Sequence, residues 1–561
     1  MLDKICTNIE IRSPSDVMRL ERLGATFPTR LSFTRRLIRL MHRESWKINC
    51  KKFDLNDDGF GVALYEVVTS KRIYTLICFS HYLSPELRTD RVIANHWDAT
   101  FVLFDGIPNQ TDIERLSKNV PKQEAGRFQK TELVISRANK SVRLFAEVIK
   151  SLSKGNQPDI NMVNSVGYLM RTTAVYANGK FGLCDRLHYT DRSELSHPFQ
   201  VEMLIVYLIR LFTFDLVDHI AYQIDKKNSV NLNRDIKRHL GIGNATGLGM
   251  APFLISHPVL IHNWFYAREV SLQKIRSINE VGINKLNHFI GVSKKAIQHA
   301  KEWLVSDEFQ TKRNLILIKE MYKVLDLAEN KNFRYKNKPW NYLFSKASSD
   351  FGLECQELLL SLLLEPYPEI IDEISEALED RTEEFLDVNM TIGQLKEIID
   401  ENYKWALDID FNDPKQNYHF WYYSKEKLEP RRGIRGQDLG SEKEMRITIA
   451  KDVNLLRKVL NDVKDDLSIA NFVMVNSNFR DIACRVQIGS KYHFSEIRDN
   501  IISNSCKPVD ILRGKLAFFG ASKFDPKSDL WTRITMYQGA PLNDEILSSD
   551  VDDWCFPIKP Q

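Results

Sequence analysis

Hydrophobic and polar positions change their spacing several times along this chain, and each change predicts an element. Across 46–105 the apolar residues alternate or run in short β-branched stretches. The runs 61–68 and 72–80 flank the turn Thr69, Ser70, Lys71 and predict a hairpin. With 47–53 before them and 100–104 after, they predict a small antiparallel sheet of about four strands. After Gly106 the spacing turns helical. Thr111, with Glu114 three residues on, gives a capping-box start, and 141–152, 159–175, 277–304 and 311–329 keep helical spacing.

The longest apolar run, 199–223, is hydrophobic on most sides, which predicts a helix in the middle of a bundle with Pro198 at its first turn. Arg210, Asp215, Asp218 and His219 interrupt it. A charge at mid-bilayer costs roughly 3 kcal/mol on insertion scales, so the run reads as buried in protein and no membrane is expected. Beyond it, 330–350 is polar, contains Pro339 and reads as a boundary, while 354–408 is acidic and Leu-rich and reads as a helical bundle. Aromatic residues gather at 411–423, and the runs 515–520 and 531–537 predict a terminal hairpin joined by the loop 521–530. The expected fold is α+β and predominantly α-helical, with a small N-terminal antiparallel sheet, a central helical core and a C-terminal mixed region with a β-hairpin. A chain of 561 residues exceeds one ordinary core, so three units are expected: 1–130, 131–330 and 331–561.

Composition narrows the picture without deciding it. Hydrophobic residues make up 43% and charged residues 27%, and the net charge is +4 with acidic residues close to most basic ones. That balance gives no reason to expect nucleic acid. The eight cysteines include no CxxC pair and no close Cys/His cluster, which removes zinc-ribbon and thioredoxin-like readings. The N-terminus has no basic region followed by an apolar one, so a cytoplasmic protein with reduced thiols is expected.

Candidate chemistry surrounds the apolar run. His197 and His257 each stand in a Ser-His-Pro tripeptide at a helix entrance, where an imidazole can act as acid or base near neutral pH. Lys180 lies between two glycines and suits a Schiff base or an acid group. Gly243, Asn244, Thr246, Gly247 and Gly249 belong to a glycine-rich stretch whose backbone N–H groups suit a phosphate or carboxylate. Thr246 stands where the dinucleotide fingerprint needs its third glycine, and no P-loop lysine follows. Arg431 offers a bidentate fork for the same anion, and Lys523, Asp525 and Arg533 are placed to close over it.

These residues predict acid–base, non-redox chemistry of lyase or hydrolase type on a small carboxylated or phosphorylated metabolite, with homo-oligomerisation open. No flavin, nicotinamide or haem motif is legible. A second reading places a divalent metal for an oxygenase or hydrolase on Glu194, His197, Asp215 and His219. Glu194 and His197 have Glu-x-x-His spacing, and Asp215, Asp218 and His219 share one helical face. A third makes the chain a non-catalytic scaffold or regulatory protein whose glycines serve only a turn.

Overall fold

The computed structural model describes residues 11–22, 29–87, 96–119, 129–177, 180–181, 191–247, 257–303, 305–378, 384–411, 420–425, 430–433, 437, 439–442, 449–498, 510, 516–528, 531–549 and 551–561. Strands β1 (Lys47–Leu55), β2 (Gly61–Val68), β3 (Ile73–Ser80) and β4 (Ala99–Asp105) pair in sequence order, as the alternating pattern predicts. The sheet does not stop there. It continues through β5 (Glu132–Lys140) and β6 (Tyr168–Ala177), with β7 (Lys180–Phe181) beside β6. From β6 it passes to β8 (Gly241–Gly247) and ends on β12 (Trp531–Met536) and β11 (Ala521–Ser528). A separate pair joins β9 (Phe420–Tyr423) to β10 (Pro430–Gly433).

The expectation of a small N-terminal sheet beside a predominantly helical core is therefore corrected. One ten-stranded mixed sheet runs through the molecule, antiparallel except where β6 meets β8. Strand β5 lies where the spacing after Gly106 reads as helical, and three further segments account for the rest of the difference. Residues 168–177 continue a helical spacing, but Gly167 at φ 79° ends the preceding helix and releases an extended strand. Residues 241–247 are too rich in glycine to read as a strand. Residues 521–528 carry Lys, Asp and Pro and read as a loop, yet they form the outer strand of the terminal hairpin. That hairpin pairs with β8, far from it in sequence.

The helices used below are α1 (Phe33–Arg43), α2 (Gln110–Asn119), α3 (Phe145–Ser153), α4 (Ile160–Val166), α5 (Gln200–Ile224), α6 (Arg234–His239), α7 (Pro258–Arg276) and α8 (Ile283–Glu302). After them come α9 (Glu308–Glu329), α10 (Pro339–Asp350), α11 (Leu353–Leu364), α12 (Pro368–Ala377), α13 (Ile392–Asn402), α14 (Ile449–Leu460) and α15 (Arg480–Lys491). The polar stretch expected as a boundary at 330–350 thus contains a helix, opened by Pro339 at its first turn. Helix α2 starts two residues earlier than expected, because Asn109 and Asp112 cap each other's backbone amides.

Helix α5 packs on one face of β3–β6 and β8, where the apolar girth read from its sequence is buried. On the opposite face Leu116 of α2 covers Ile77, Phe79, Val102, Phe104 and Ile135, which follows from strand alternation. No described helix is long and apolar enough to cross a membrane. Helix α5 begins at Gln200, and Phe199 before it is held at φ 58°. Such a conformation is costly for a bulky side chain and here it turns the ring between Phe33 and Phe519, at 5.0 and 4.7 Å.

The charge inside α5 has an answer in the structure. Arg210 is fully buried. Its guanidinium donates to five carbonyl oxygens: Leu240, Lys237, Arg238, Ala540 and Pro541, at 2.8–3.1 Å. Three of these belong to the C-terminal end of α6, whose partial negative charge suits a cation. Burial lowers the pKa of Arg210 to about 10, so it remains charged at neutral pH. Replacing Arg210 with Met leaves those carbonyls without their donor, and we expect a loss of about 3–5 kcal/mol in urea denaturation, of which Arg210→Lys recovers only a part. In β8, a Cβ at Gly241 would stand 2.2 Å from the Met536 carbonyl oxygen. Gly241→Ala should therefore cost roughly 1–3 kcal/mol of stability, read as a lower urea midpoint at unchanged m.

Candidate functional site

Aromatic side chains join the start of α5, just after His197, to Trp264, two turns into the helix whose entrance carries His257. Phe199 at the start of α5 touches Phe33 and Phe519, while Trp264 on α7 touches Phe518 with ring centroids 4.5 Å apart. Phe33 also meets both Phe518 and Phe519. His197, half-buried, lies before α5 with its amide bonded to Gln200. His257 caps α7 beside Arg485 of α15, and burial together with that positive charge lowers its pKa to about 4. His262, one turn on, packs on Tyr266, accepts from the Phe494 amide and is lowered to about 4, mainly by burial.

The residues proposed for a metal are each engaged separately. Glu194 accepts from the Tyr74 hydroxyl at 2.7 Å, and Asp215 from the Tyr65 hydroxyl at 2.6 Å. His219 lies against the Asn56 carbonyl at 2.9 Å, and neighbouring Asp218 holds Lys237 and the Leu232 amide. Among the described residues no three His, Cys, Asp or Glu side chains gather as a metal ion would require. The Asp215, Asp218, His219 face of α5 serves instead to fasten the helix to β2, to the β1–β2 turn and to α6.

The glycine-rich stretch is a strand, so its amides are drawn into the sheet ladder between β6 and β12 rather than left to cradle an anion. Its glycines answer a packing demand. A Cβ at Gly243 would stand 2.7 Å from the ring of Tyr168. The register slips between Tyr168 and Arg171, three residues of β6 spanning two of β8, so both side chains emerge on one face. Arg171 is opposite Gly243, and across β8 Arg533 is opposite Ala245. Alternation then puts Tyr168, Arg171, Gly243 and Arg533 on the face turned away from α5. Asn244 points the other way and donates to Thr172 at 2.9 Å.

This small-centred, basic-flanked face opens into a cleft. Lys140 at the end of β5, Ser141 and Arg143 in the following turn, Tyr168, Arg171 and Arg533 line it, with Val142 and Val166. Its enclosed space is only about 10 Å³, roughly the room one water needs, and the rest lies open to solvent. Arg171 is 4% exposed, whereas Arg143 is on the surface. The Lys140 ammonium lies over the rings of Phe60 and Phe145, 5.4 and 5.0 Å from their centroids. The lining brings four cations together and includes no carboxylate, histidine or cysteine among the described residues. Such a cleft concentrates anions, and an arginine fork matches the geometry of phosphate or carboxylate.

Of the residues expected from the sequence, Gly243 and Arg533 adjoin this cleft. Lys180 pairs with Ala177 at the far end of β6, about 20 Å along the strand from Arg171. Thr246 and Gly247 pair with Thr532 and Trp531 in the same sheet. Gly249 lies outside the described residues. Arg431 is on β10 in the separate pair, opposite Tyr422. Lys523 is turned inward, capping the carbonyls of Asn164 and Ser165 at the end of α4, and Asp525 bonds Ser306. The sequence reading passed over Lys140, Arg143 and Arg171; the one available signal was an arginine inside an otherwise apolar run at 168–177. The chain matches no family model, no curated protein and no solved structure.

Near the cleft's lower edge, His239 is buried beside Asn164 and Gln538, and burial, with the nearby His299 and Lys523, lowers its pKa to about 4. The unfolded chain takes up this proton near pH 6.5 and the folded chain does not, so stability is full above that pH and falls as pH drops towards 4. We expect His239 to account for about 3 kcal/mol of that loss at pH 4. Urea titrations at pH 7, 5.5 and 4.5 should show a shallower acid limb in His239→Gln than in the parent protein.

Proposed function

We propose that this chain is a binding protein for an anionic ligand, whose phosphate or carboxylate group is received between Arg171 and Arg533 and flanked by Lys140 and Arg143. The observation that carries the reading is the convergence of four basic side chains from β5, the turn after it, β6 and β12 on one cleft whose described lining has no acidic residue. Acid–base chemistry at this place has less support. The described lining offers only the hydroxyls of Ser141 and Tyr168 for proton handling, and Ser141 accepts from the Leu144 amide. His197, His257 and Lys180, expected as the proton-handling groups, stand on other parts of the fold.

The reading is tested by thermal shift and calorimetry with inorganic phosphate, pyrophosphate and citrate at low ionic strength. A ligand at 100 times its Kd adds roughly 2.7 kcal/mol of stability. Arg171→Gln and Arg533→Gln should each weaken binding by roughly tenfold or more, equivalent to about 1.4 kcal/mol or more. The absence of any response in the parent protein, or unchanged affinity in both variants, removes this cleft from consideration.

A further inference from the structure

Helix α9 is apolar over more of its surface than its packing uses. It lies against α8, α10 and α11, and Leu317, Met321, Val324, Leu325 and Ala328 are buried along one face. The chain nevertheless sets four aliphatic residues in a row at 315–318, and a helix turns only part of such a run inward. Leu317 and Ile318 pack on the core. Leu315 and Ile316 stay 57% and 55% exposed, and Phe309 and Tyr322 are exposed on the same side. Apolar residues scattered singly over a surface are ordinary, but four large ones on the outward side of one helix mark a contact surface.

At 3.6 residues per turn the outward side has an order of its own. Lys312, Lys319 and Lys323, all exposed, fall within about 40° of one another and form its crest. Leu315 and Tyr322 lie along one flank, and Phe309 and Ile316 lie along the other. Lys301 of α8 donates to the Tyr322 hydroxyl and adds a cation to the first flank. Carboxylates are confined to the ends of the helix. Glu308 pairs with Lys312 in an exposed bridge that holds little, and Glu329 in the last turn pairs with Lys294. Glu320, between them in sequence, is turned to the Gly352 amide.

We propose that this face docks an acidic amphipathic helix of a partner protein, with a row of Asp or Glu side chains over Lys312, Lys319 and Lys323 and leucine-sized side chains against the two flanks. The order of the rows selects that occupant. A lipid surface takes apolar residues at the crest with lysines beside them, which is the reverse of this arrangement. A second copy laid antiparallel about the middle of α9 brings Lys319 against its own counterpart, a like-charge contact that disfavours self-association. An acidic helix answers both features, because its carboxylates meet the crest while its apolar residues cover the flanks. The face shares no residue with the basic cleft.

The test is fluorescence anisotropy on the full chain with a labelled helical peptide that carries Glu along one stripe and Leu on both sides of it. A counterpart with Lys in place of Glu, and vesicles of equal parts phosphatidylcholine and phosphatidylserine, represent the other occupants. The acidic peptide should bind one to one, roughly tenfold or more tightly than the basic one, and should weaken as salt screens the crest. Lys319→Glu should weaken it by roughly tenfold or more, and Leu315→Ser with Ile316→Ser by at least as much. Both variants should keep the parent melting temperature, since the three side chains are exposed, and Arg171→Gln should leave the affinity unaltered. No binding of the acidic peptide, equal binding of the basic one, or affinity indifferent to both α9 variants overturns the proposal. Vesicle binding, or self-association read by light scattering, that is abolished by Leu315→Ser with Ile316→Ser assigns the face to another occupant and overturns it as well.

Discussion

A guanidinium stays in the interior of a protein only where oxygen atoms replace the water it gave up, and the arrangement around Arg210 is the constraint on which the second half of this sheet depends. The side chain leaves the middle of α5 and gathers carbonyls from the end of α6, from Leu240 just before β8, and from the turn that follows β12. Helix, inner strand and terminal strand are thereby held to one point. Two tyrosines extend the same fastening: Tyr207 donates to Pro541, and Tyr537 donates back to the Met203 carbonyl of α5. The parallel pairing of β6 with β8 and the return of the terminal hairpin to β8 both sit beside this junction.

Other buried arginines are handled by carboxylates. Arg35 on α1 is paired through two bonds with Glu365, Arg12 with Glu269 of α7, and Arg485 of α15 with Glu496. The first two connect segments hundreds of residues apart. Pairs of this kind contribute little net stability against hydrophobic replacements, but breaking one partner is severe, so they act mainly to select one arrangement of the helices. Seen beside them, the basic cleft differs in kind. Its cations come from three strands and a turn and meet without a lining carboxylate among the described residues.

Several elements were legible in local spacing, though the extent of the sheet was not. The β2–β3 hairpin, the order of β1–β4, the buried length of α5 and the long helices α8 and α9 follow from side-chain periodicity, which records directly which face of an element is buried. The candidate site was less legible. The glycines of 241–249 suggest an anion cradle because glycine leaves backbone amides uncovered, but the same missing Cβ lets Tyr168 lie on Gly243 and the Met536 carbonyl approach Gly241. A glycine announces close approach without naming what approaches. The recurrence of Ser-His-Pro likewise marked two helix entrances, while the choice between a cavity and a ring cluster rested on Phe33, Phe518 and Phe519 from elsewhere in the chain.

The sequence by itself determined the strand and helix periods, the absence of a long uncharged apolar span and the burial of the run at 200–224, because each is a property of neighbouring residues. Only the tertiary structure decided that 241–247 and 521–528 are strands of one sheet, and that Arg171 and Arg533 flank the same glycine-bearing strand. Strand pairing is a contact between distant segments whose backbone groups are chemically alike. Which segments meet is set by the register and the packing of the whole core, and no local pattern carries that information.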